Sequence, residues 1–208
     1  MPTRYVTFLW QFARRPVATG AIAPSSHGLA HQMVDESGVE DAKLVFELGA
    51  GTGSFTEEIL ERMNPEGKFV AVEVNPQMVK HLRKRFPGLS VMEESAENLG
   101  DFRARHGLAR ADTVLSGLPW ALFKPDTQER LLDAVVENLR PGGTFATFAY
   151  WHASWFPTAR RFEGLLRERF GAVEKSEVVW WNLPPAFVYR CRKNGNGQTK
   201  KTADGEAA

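Results

Sequence analysis

The chain contains 208 residues, of which 43% are hydrophobic and 25% are charged, a composition typical of a folded globular protein. A formal net charge of +1 argues against a general nucleic-acid-binding protein, whose surface carries a strong positive field. The one cysteine, Cys191, excludes an internal disulfide and a cysteine-based zinc site, and we expect no metal. Since there is neither a run of about 18 apolar residues nor a signal-peptide pattern, we expect one soluble, intracellular domain.

The N-terminal segment differs in composition from the rest of the chain. It carries three arginines and no carboxylate before Asp35. On an ideal helix, the apolar and aromatic side chains of Arg4–Arg15 form one continuous arc, and Pro16 ends the helix. This arc could pack on the protein, or it could lie in a bilayer interface, where aromatic rings with flanking arginines are favoured. Since three arginines contribute only about 1 kcal/mol each at an anionic surface, membrane binding requires insertion of the rings.

Strand-like and helical segments alternate from residue 43 onwards. The predicted strands are Lys43–Leu48, Lys68–Val74, Leu89–Met92, Asp112–Leu115, Thr144–Tyr150, Val173–Trp181 and Ala186–Arg192. The predicted helices are Ser54–Met63, Pro76–Phe86, Thr127–Leu139 and Thr158–Phe170. This alternation predicts a doubly wound, parallel α/β sheet, and the last two strands predict an antiparallel hairpin at one edge. The tail over 194–208 lacks Val, Ile, Leu and aromatic residues, which predicts disorder.

The strongest motif is the glycine cluster Glu47–Gly53 (ELGAGTG), which follows the first predicted strand and opens a helix. Doubly wound sheets bind nucleotides at this position, but the spacing differs from the GxGxxG dinucleotide motif and no P-loop lysine follows. The carboxylate of Glu47 would repel phosphates and favours a ligand with a cationic group, such as the ammonium of an amino acid. Glu73 ends the next strand, where a carboxylate accepts hydrogen bonds from both ribose hydroxyls.

A cation beside the first strand and a ribose beside the second predict S-adenosylmethionine as the ligand. The alternative is that the glycines only form a tight turn and that Glu73 is a solvated strand end. The motif ELGAGTG followed by VEVN (residues 72–75) resembles motifs I and II of the class I S-adenosylmethionine-dependent methyltransferases.

That resemblance implies a Rossmann-like, seven-stranded sheet with an antiparallel edge strand, and S-adenosylhomocysteine as the product of the cofactor. It implies cofactor contacts from Glu47, Gly49, Gly51, Thr52, Gly53, Glu73 and Val74. It also implies adenine contacts from the loop after the third strand, at Ser95, Ala96 and Glu97. Glu97 equally fits a cap of the helix that follows.

The segment Ser116–Trp120 (SGLPW) follows the fourth strand and resembles the (Asn/Asp/Ser)-(Pro/Leu/Ile)-Pro-(aromatic) motif of amine methyltransferases, including ribosomal RNA adenine dimethyltransferases. There the motif accepts hydrogen bonds from the amine, and the aromatic ring packs against the nucleophile. Here Gly117 stands where Asn is usual. The remaining acceptors are the Ser116 hydroxyl and the carbonyls of Gly117 and Leu118, which suits a product without N–H groups better than adenine. The expected acceptor contacts are Ser116, Gly117, Leu118 and Trp120.

Four segments together resemble the bacterial-type phospholipid N-methyltransferases, which convert phosphatidylethanolamine through its mono- and dimethyl forms to phosphatidylcholine. They are TGAIAPSS (19–26), SGLPW (116–120), LRPGGTFATFAY (139–150) and NLPPAFVYR (182–190). The resemblance covers roughly residues 1–193. It implies a membrane-binding helix and cofactor-covering loop over 1–34, a methyltransferase domain over 35–193 and a tail over 194–208.

The same resemblance implies that the N-terminal helix contacts the membrane through Arg4, Tyr5, Phe8, Leu9 and Phe12, and that Ile22, Ser25 and Ser26 lie near the cofactor. We therefore expect a cytoplasmic monomer at the anionic inner face of the cell membrane, without a nucleic-acid partner.

A protonated amine has no lone pair, so it must lose a proton before methylation. Tyr150 and His152 are the candidate bases at the end of the fifth strand, and Tyr5 is a third if the first helix folds over the site. The alternatives are core packing for Tyr150 and a surface loop for His152.

Aromatic faces stabilise a cationic product by roughly 0.5–2 kcal/mol each. The candidate rings are Trp120, Phe123, Trp151, Trp155 and Phe156, unless they only fill the space between sheet and helix. Arg160 or Arg161 could bind a lipid phosphate bidentately, or both could lie on a solvated helix face. Two rival functions are an RNA adenine N6-dimethyltransferase and a soluble small-molecule amine methyltransferase.

Overall fold

The computed structural model describes residues 26–195. Seven strands are β1 (Leu44–Leu48), β2 (Lys68–Val72), β3 (Ser90–Met92), β4 (Ala111–Ser116), β5 (Leu139–Tyr150), β6 (Ala172–Lys175) and β7 (Ala186–Arg192). Six helices are α1 (His27–Val34), α2 (Ser54–Arg62), α3 (Pro76–Arg85), α4 (Leu99–Arg105), α5 (Pro125–Asn138) and α6 (Pro157–Arg169). Short 3-10 helices cover Ala96–Asn98, Trp120–Leu122 and Trp151–Ala153. The predicted helix Arg4–Arg15 and nearly all of the predicted tail lie outside the described residues.

The strands form one sheet in the order β3-β2-β1-β4-β5-β7-β6. Strands β1 to β5 are parallel, and β7 is antiparallel to both of its neighbours. The predicted doubly wound sheet with an antiparallel hairpin at one edge is confirmed. The strand order reverses between β1 and β4, and such a reversal opens a crevice at the carboxyl ends of the strands where ligands bind.

Side chains alternate between two buried layers along the strands. On β1, Phe46 and Leu48 belong to the layer that packs against α4, α5 and α6, whereas Val45 belongs to the layer under α1, α2 and α3. Helix α1 contributes Leu29 and Met33, both fully buried, to the second layer. Helix α1 therefore packs as part of the core, and the predicted division of the chain at residue 34 stays a prediction.

The predicted strand Val173–Trp181 ends early, at Lys175. Lys175 pairs with Tyr189, but the next bridge joins Val179 to Ala186, so the β6 side carries one extra residue and the ladder is interrupted. No helix was predicted at the position of α4, which has only seven residues and buries only Leu99 and Phe102. In residues 26–195, the helices are too short or too polar to cross a membrane.

Candidate functional site

The glycine turn after β1 needs residues without a side chain. Gly49 has φ of 72°, and a Cβ added there would lie 2.8 Å from Cδ2 of Leu118. Gly53 precedes α2 with φ of 86°, and its added Cβ would lie 2.5 Å from the Phe86 ring. The turn is therefore in close contact with Ser116–Trp120, called here the acceptor loop, on one side and with the end of α3 on the other.

Glu73 connects this turn to the end of the next strand through hydrogen bonds. Its carboxylate is 8% exposed and accepts hydrogen bonds from the backbone N–H of Gly51 at 2.9 Å and of Asn75 at 2.8 Å. Asn75 is itself fixed as the N-cap of α3, accepting from the N–H of Gln77 at 2.9 Å. A carboxylate has about four acceptor positions, so one position on each oxygen remains for a ribose hydroxyl.

Glu47 lies one residue before the end of β1 and is fully buried. Its Oε2 accepts a hydrogen bond from the Thr56 hydroxyl at 2.6 Å, while Oε1 has no hydrogen-bond partner among residues 26–195. Burial raises the pKa of this carboxyl to about 7, and the nearby charge of Glu73 adds to the rise. A buried acceptor without a donor is costly, so Oε1 fits a ligand that brings a cationic donor. This test favours an amino acid ammonium and hence S-adenosylmethionine.

The adenine-side residues have mixed surroundings. Ser95 caps the 3-10 helix by accepting from the N–H of Glu97 at 3.2 Å, and Ala96 is buried in the core. The carboxylate of Glu97 pairs with Arg130 of α5 at 3.4 Å. The 3-10 helix is capped by Ser95, and Glu97 does not have the capping role that was the alternative for it. Val74 is half-buried, and Thr52 is exposed with its hydroxyl 3.5 Å from that of Ser54.

The acceptor loop meets the glycine turn through Gly117. The N–H of Gly117 donates to the Leu48 carbonyl at 2.8 Å, and a Cβ added at Gly117 would lie 2.9 Å from the Gly49 carbonyl oxygen. That oxygen belongs to the backbone and cannot simply rotate away. The absence of Asn at this position therefore follows from the close approach of the two loops.

Ser116 and Trp120 support the acceptor loop from within the core. The Ser116 hydroxyl is fully buried and accepts from the Leu118 N–H at 3.3 Å and from Nε1 of Trp120 at 3.1 Å. The Trp120 ring is 3% exposed and stacks on Phe162 with 4.5 Å between the ring centroids. Trp120 and Phe123, the latter at 7% exposed, thus lie in the core, as in the alternative considered for these rings, and the contact of Trp120 with a product cation stays a prediction.

A series of rings runs from the acceptor loop to the end of β5. The Phe55 ring lies 3.5 Å from the Cβ position of Gly117 and 5.8 Å from the Phe148 ring, centroid to centroid. Phe148 in turn contacts Tyr150 at 5.4 Å, and Tyr150 stacks on His152 at 5.9 Å. The sequence analysis did not select Phe55 or Phe148. Phe148 could have been found, because it shares a strand face with Tyr150 two residues later.

Tyr150 and His152 differ as candidate bases. Tyr150 is half-buried, and burial raises the pKa of its phenol, so the hydroxyl stays protonated near neutral pH. His152 is exposed beside it. The pair therefore combines a protonated hydroxyl with an imidazole that has access to water.

The remaining predicted residues lie at the rim or outside the described part. Ser26 caps α1 with its hydroxyl and donates its backbone N–H to Asn182 at 3.0 Å. Arg161 pairs with Glu129 of α5, whereas Arg160 is exposed and has no ion pair within the described chain. Trp151 is 38% exposed and contacts Trp155. Outside the described residues are Arg4, Tyr5, Phe8, Leu9, Phe12, Ile22 and Ser25.

Among residues 26–195, no group of three or more His, Cys, Asp and Glu side chains could hold a metal ion.

Comparisons with known proteins agree with this geometry. A family profile described as a methyltransferase domain matches residues 45–143. The chain is 32% identical over 195 residues to the ornithine lipid N-methyltransferase of Singulisphaera acidiphila, across 90% of this chain and 95% of that protein. It is also 34% identical over 97 residues to the dimethyladenosine transferase of Saccharomyces cerevisiae, which covers 47% of this chain and only 29% of the relative.

Solved structures share the fold. A precorrin-6y C5,15-methyltransferase from Geobacter metallireducens superposes with a TM-score of 0.65 at 20% identity, covering 84% of this chain and 94% of that one. An O-methyltransferase from Streptomyces achromogenes, solved with S-adenosylmethionine, gives 0.65 at 17% identity over 88% and 86%. Fold and site thus define a class I S-adenosylmethionine-dependent methyltransferase. Within that class, the chain belongs to the family that includes the ornithine lipid N-methyltransferase of Singulisphaera acidiphila.

Proposed function

We propose that this enzyme methylates the amine of a membrane lipid. The proposed substrates are phosphatidylethanolamine and its mono- and dimethyl derivatives, with phosphatidylcholine as the final product. The observation that carries the proposal is the acceptor loop, where the close approach of Gly117 to the Gly49 carbonyl leaves backbone oxygens in place of an Asn side chain. The similarity to a lipid N-methyltransferase along nearly the whole chain supports a lipid substrate.

Two carboxylates, those of Glu73 and Glu47, have the main proposed roles in binding the cofactor. S-adenosylmethionine, when bound, supplies an electrophilic methyl group on a sulfonium. In this proposal Glu73 accepts from the ribose hydroxyls and Oε1 of Glu47 accepts from the ammonium, which is supported by the backbone hydrogen bond to Glu73 and by the absence of a partner for Oε1 among residues 26–195. The positive-φ glycines at Gly49 and Gly51 allow the backbone to approach the ligand without Cβ atoms.

The acceptor residues position the amine and remove its proton. Carbonyl oxygens of Gly117 and Leu118 accept from the remaining N–H groups and still attract the cationic nitrogen when none is left. Positioning of this kind needs no covalent intermediate. His152 takes the proton and passes it to water, while the protonated Tyr150 hydroxyl orients the amine. We also propose that Tyr5, Ile22 and Ser25 cover the site, the last two near the cofactor.

The lipid is held at a bilayer surface by residues at the rim. We propose that Arg160 binds the lipid phosphate, since Arg161 is already paired with Glu129. The aromatic arc of the N-terminal segment, with Phe8 and Phe12, inserts into the bilayer of the inner membrane face. The enzyme acts there as a peripheral monomer.

Product analysis tests this function. Purified enzyme is incubated with methyl-labelled S-adenosylmethionine and vesicles that contain phosphatidylethanolamine, its monomethyl form or its dimethyl form, and the lipids are separated by chromatography. We expect label in each next-higher amine and none with Glu73→Ala. Label in no lipid would contradict the proposal.

An ornithine lipid is the second candidate substrate, favoured by 32% identity to an enzyme with that name. Vesicles containing ornithine lipid form the competing arm of the same assay. Label in ornithine lipid alone would replace phosphatidylethanolamine by that substrate while keeping lipid N-methylation.

A further inference from the structure

The described surface carries a dense cluster of exposed aromatic and aliphatic side chains, called here the tryptophan surface. It consists of Trp151, Trp155, Phe156, Trp180, Trp181 and Leu183. Trp181 is 93% exposed, Leu183 73% and Trp180 60%. Trp151 joins the two contributing segments, because its ring lies 4.9 Å from that of Trp155 and 5.6 Å from that of Trp180.

Hydrogen bonds fix the backbone that carries these exposed rings. The N–H of Trp151 donates to the Pro185 carbonyl at 2.9 Å and fastens the two segments together. Asn182, which is 4% exposed, donates from Nδ2 to the Pro184 carbonyl at 2.6 Å and accepts from the N–H of Ser26. The loop therefore presents Trp180 and Trp181 outward on a fixed backbone. Contiguous apolar surface of this kind marks an interaction site.

The charges around the tryptophan surface fit an anionic partner. No carboxylate occurs between Glu137 and Glu163 in the sequence, and in the described chain none follows Glu177. Arg160 is exposed at the start of α6, close in sequence to Trp155 and Phe156. Tryptophan rings combined with arginine side chains are characteristic of the headgroup region of a bilayer, where the ring is amphipathic and the guanidinium meets lipid phosphates.

We propose that the tryptophan surface docks on the interface of an anionic lipid bilayer, in addition to any contact made by the N-terminal segment. Trp151 directly follows Tyr150, so docking places the end of β5, and the site next to it, against the membrane. This proposal rests on the proposed function in one respect, which is the expectation that the substrate enters the site from the bilayer beside the tryptophan surface.

The test uses the full-length protein and vesicles of phosphatidylcholine and phosphatidylglycerol at a ratio of about 7:3, chosen to give an anionic surface. We expect Trp155→Ser/Trp181→Ser to lower the vesicle partition coefficient at least tenfold while affinity for S-adenosylhomocysteine stays within twofold. The matched control is Leu60→Ser, which removes a 41% exposed apolar side chain from α2 and should leave partition unchanged. Brominated phosphatidylcholine should quench tryptophan emission in the wild type more than in the double variant.

Equal partition and equal quenching in the wild type and the double variant would overturn the proposal. So would shielding of the wild-type rings from iodide without vesicles, which would mean that residues 1–25 or a second copy cover the surface. Light scattering at several protein concentrations separates these two cases. Methyl transfer to lipid is measured separately, so vesicle docking without lipid turnover would overturn the proposed function and leave this inference standing.

Discussion

Glu47 and Glu73 flank the same glycine turn, but their surroundings give them different roles. Glu73 accepts hydrogen bonds from two backbone N–H groups, which fix the orientation of its carboxylate, and we propose that this carboxylate binds the ribose. Hydrogen bonds to a charged acceptor are worth about 1.5–3 kcal/mol each. We therefore expect Glu73→Ala to weaken S-adenosylhomocysteine binding at least 100-fold in calorimetry. Glu73→Gln, which keeps one acceptor oxygen, should lose less, and an Ala variant that binds within threefold of wild type would contradict the assignment.

The raised pKa of Glu47 predicts a pH dependence of stability. The carboxyl has a pKa of about 7 in the folded protein against an ordinary value of 4.5, so the folded state binds more protons between these values. The free energy of unfolding should therefore fall as pH rises from about 4.5 to 7, by up to about 3 kcal/mol, and then level off. Glu47→Gln should flatten this slope in urea unfolding at pH 5, 6 and 8. An unchanged slope would show that other groups cause it.

A bound ammonium acts in the opposite direction on Glu47, because a neighbouring cation favours the ionised carboxylate. Affinity for S-adenosylhomocysteine should consequently rise with pH over the same window in the wild type and stay flat in Glu47→Gln.

Gly117 provides a steric prediction for the acceptor loop. Gly117→Asn places a Cβ about 2.9 Å from the Gly49 carbonyl oxygen, so one of the two loops must move. Overpacking of this kind costs about 1–3 kcal/mol of unfolding free energy, and we expect weaker cofactor binding as well. Gly164→Asn is the control, since a Cβ at Gly164 in α6 meets nothing within 4 Å. Equal stability of both variants would remove the steric explanation.

Among the elements, the parallel strands and the helices that cover them were predictable because each carries its own local pattern. The carboxyl ends of neighbouring parallel strands lie together for the same reason, and this brings Glu73 to the glycines. Long-range packing was not predictable. The stacking of Trp120 on Phe162 and the pairing of Arg161 with Glu129 join residues more than 30 positions apart, and no local pattern reports such contacts.

The early end of β6 shows a second limit of the sequence. Apolar residues resume after Lys175, at 178–181, but one extra residue before Val179 shifts the register, and the rest of the predicted strand forms the loop of the tryptophan surface. A strand prediction considers the residue types of one segment. It does not compare the number of residues in that segment with the number in the partner strand.

The N-terminal segment provides a prediction about membrane binding. Phe8→Ser/Phe12→Ser removes two rings from the proposed apolar arc, so we expect weaker vesicle flotation with unchanged affinity for S-adenosylhomocysteine. Combining this variant with Trp155→Ser/Trp181→Ser should reduce binding further, since the two surfaces are proposed to contribute separately. Intact flotation and lipid turnover in Phe8→Ser/Phe12→Ser would rule out the membrane role of the helix.

In the whole molecule, the cofactor turn, the acceptor loop and the end of β5 all lie at the carboxyl ends of the parallel strands. The tryptophan surface adjoins these strand ends through Trp151, which follows Tyr150. The proposed entry of a lipid substrate from the membrane uses this arrangement, and in residues 26–195 no helix is long and apolar enough to cross a membrane.

Methylation of a lipid amine is the activity that we propose for this enzyme. The most direct measurement is the transfer of labelled methyl groups from S-adenosylmethionine in an assay that offers vesicles with amine lipids and, in parallel, ribosomal RNA. We expect label in the organic phase as N-methylated lipid, and we expect Glu73→Ala to abolish it. Label confined to RNA, or to water-soluble amines, would contradict it.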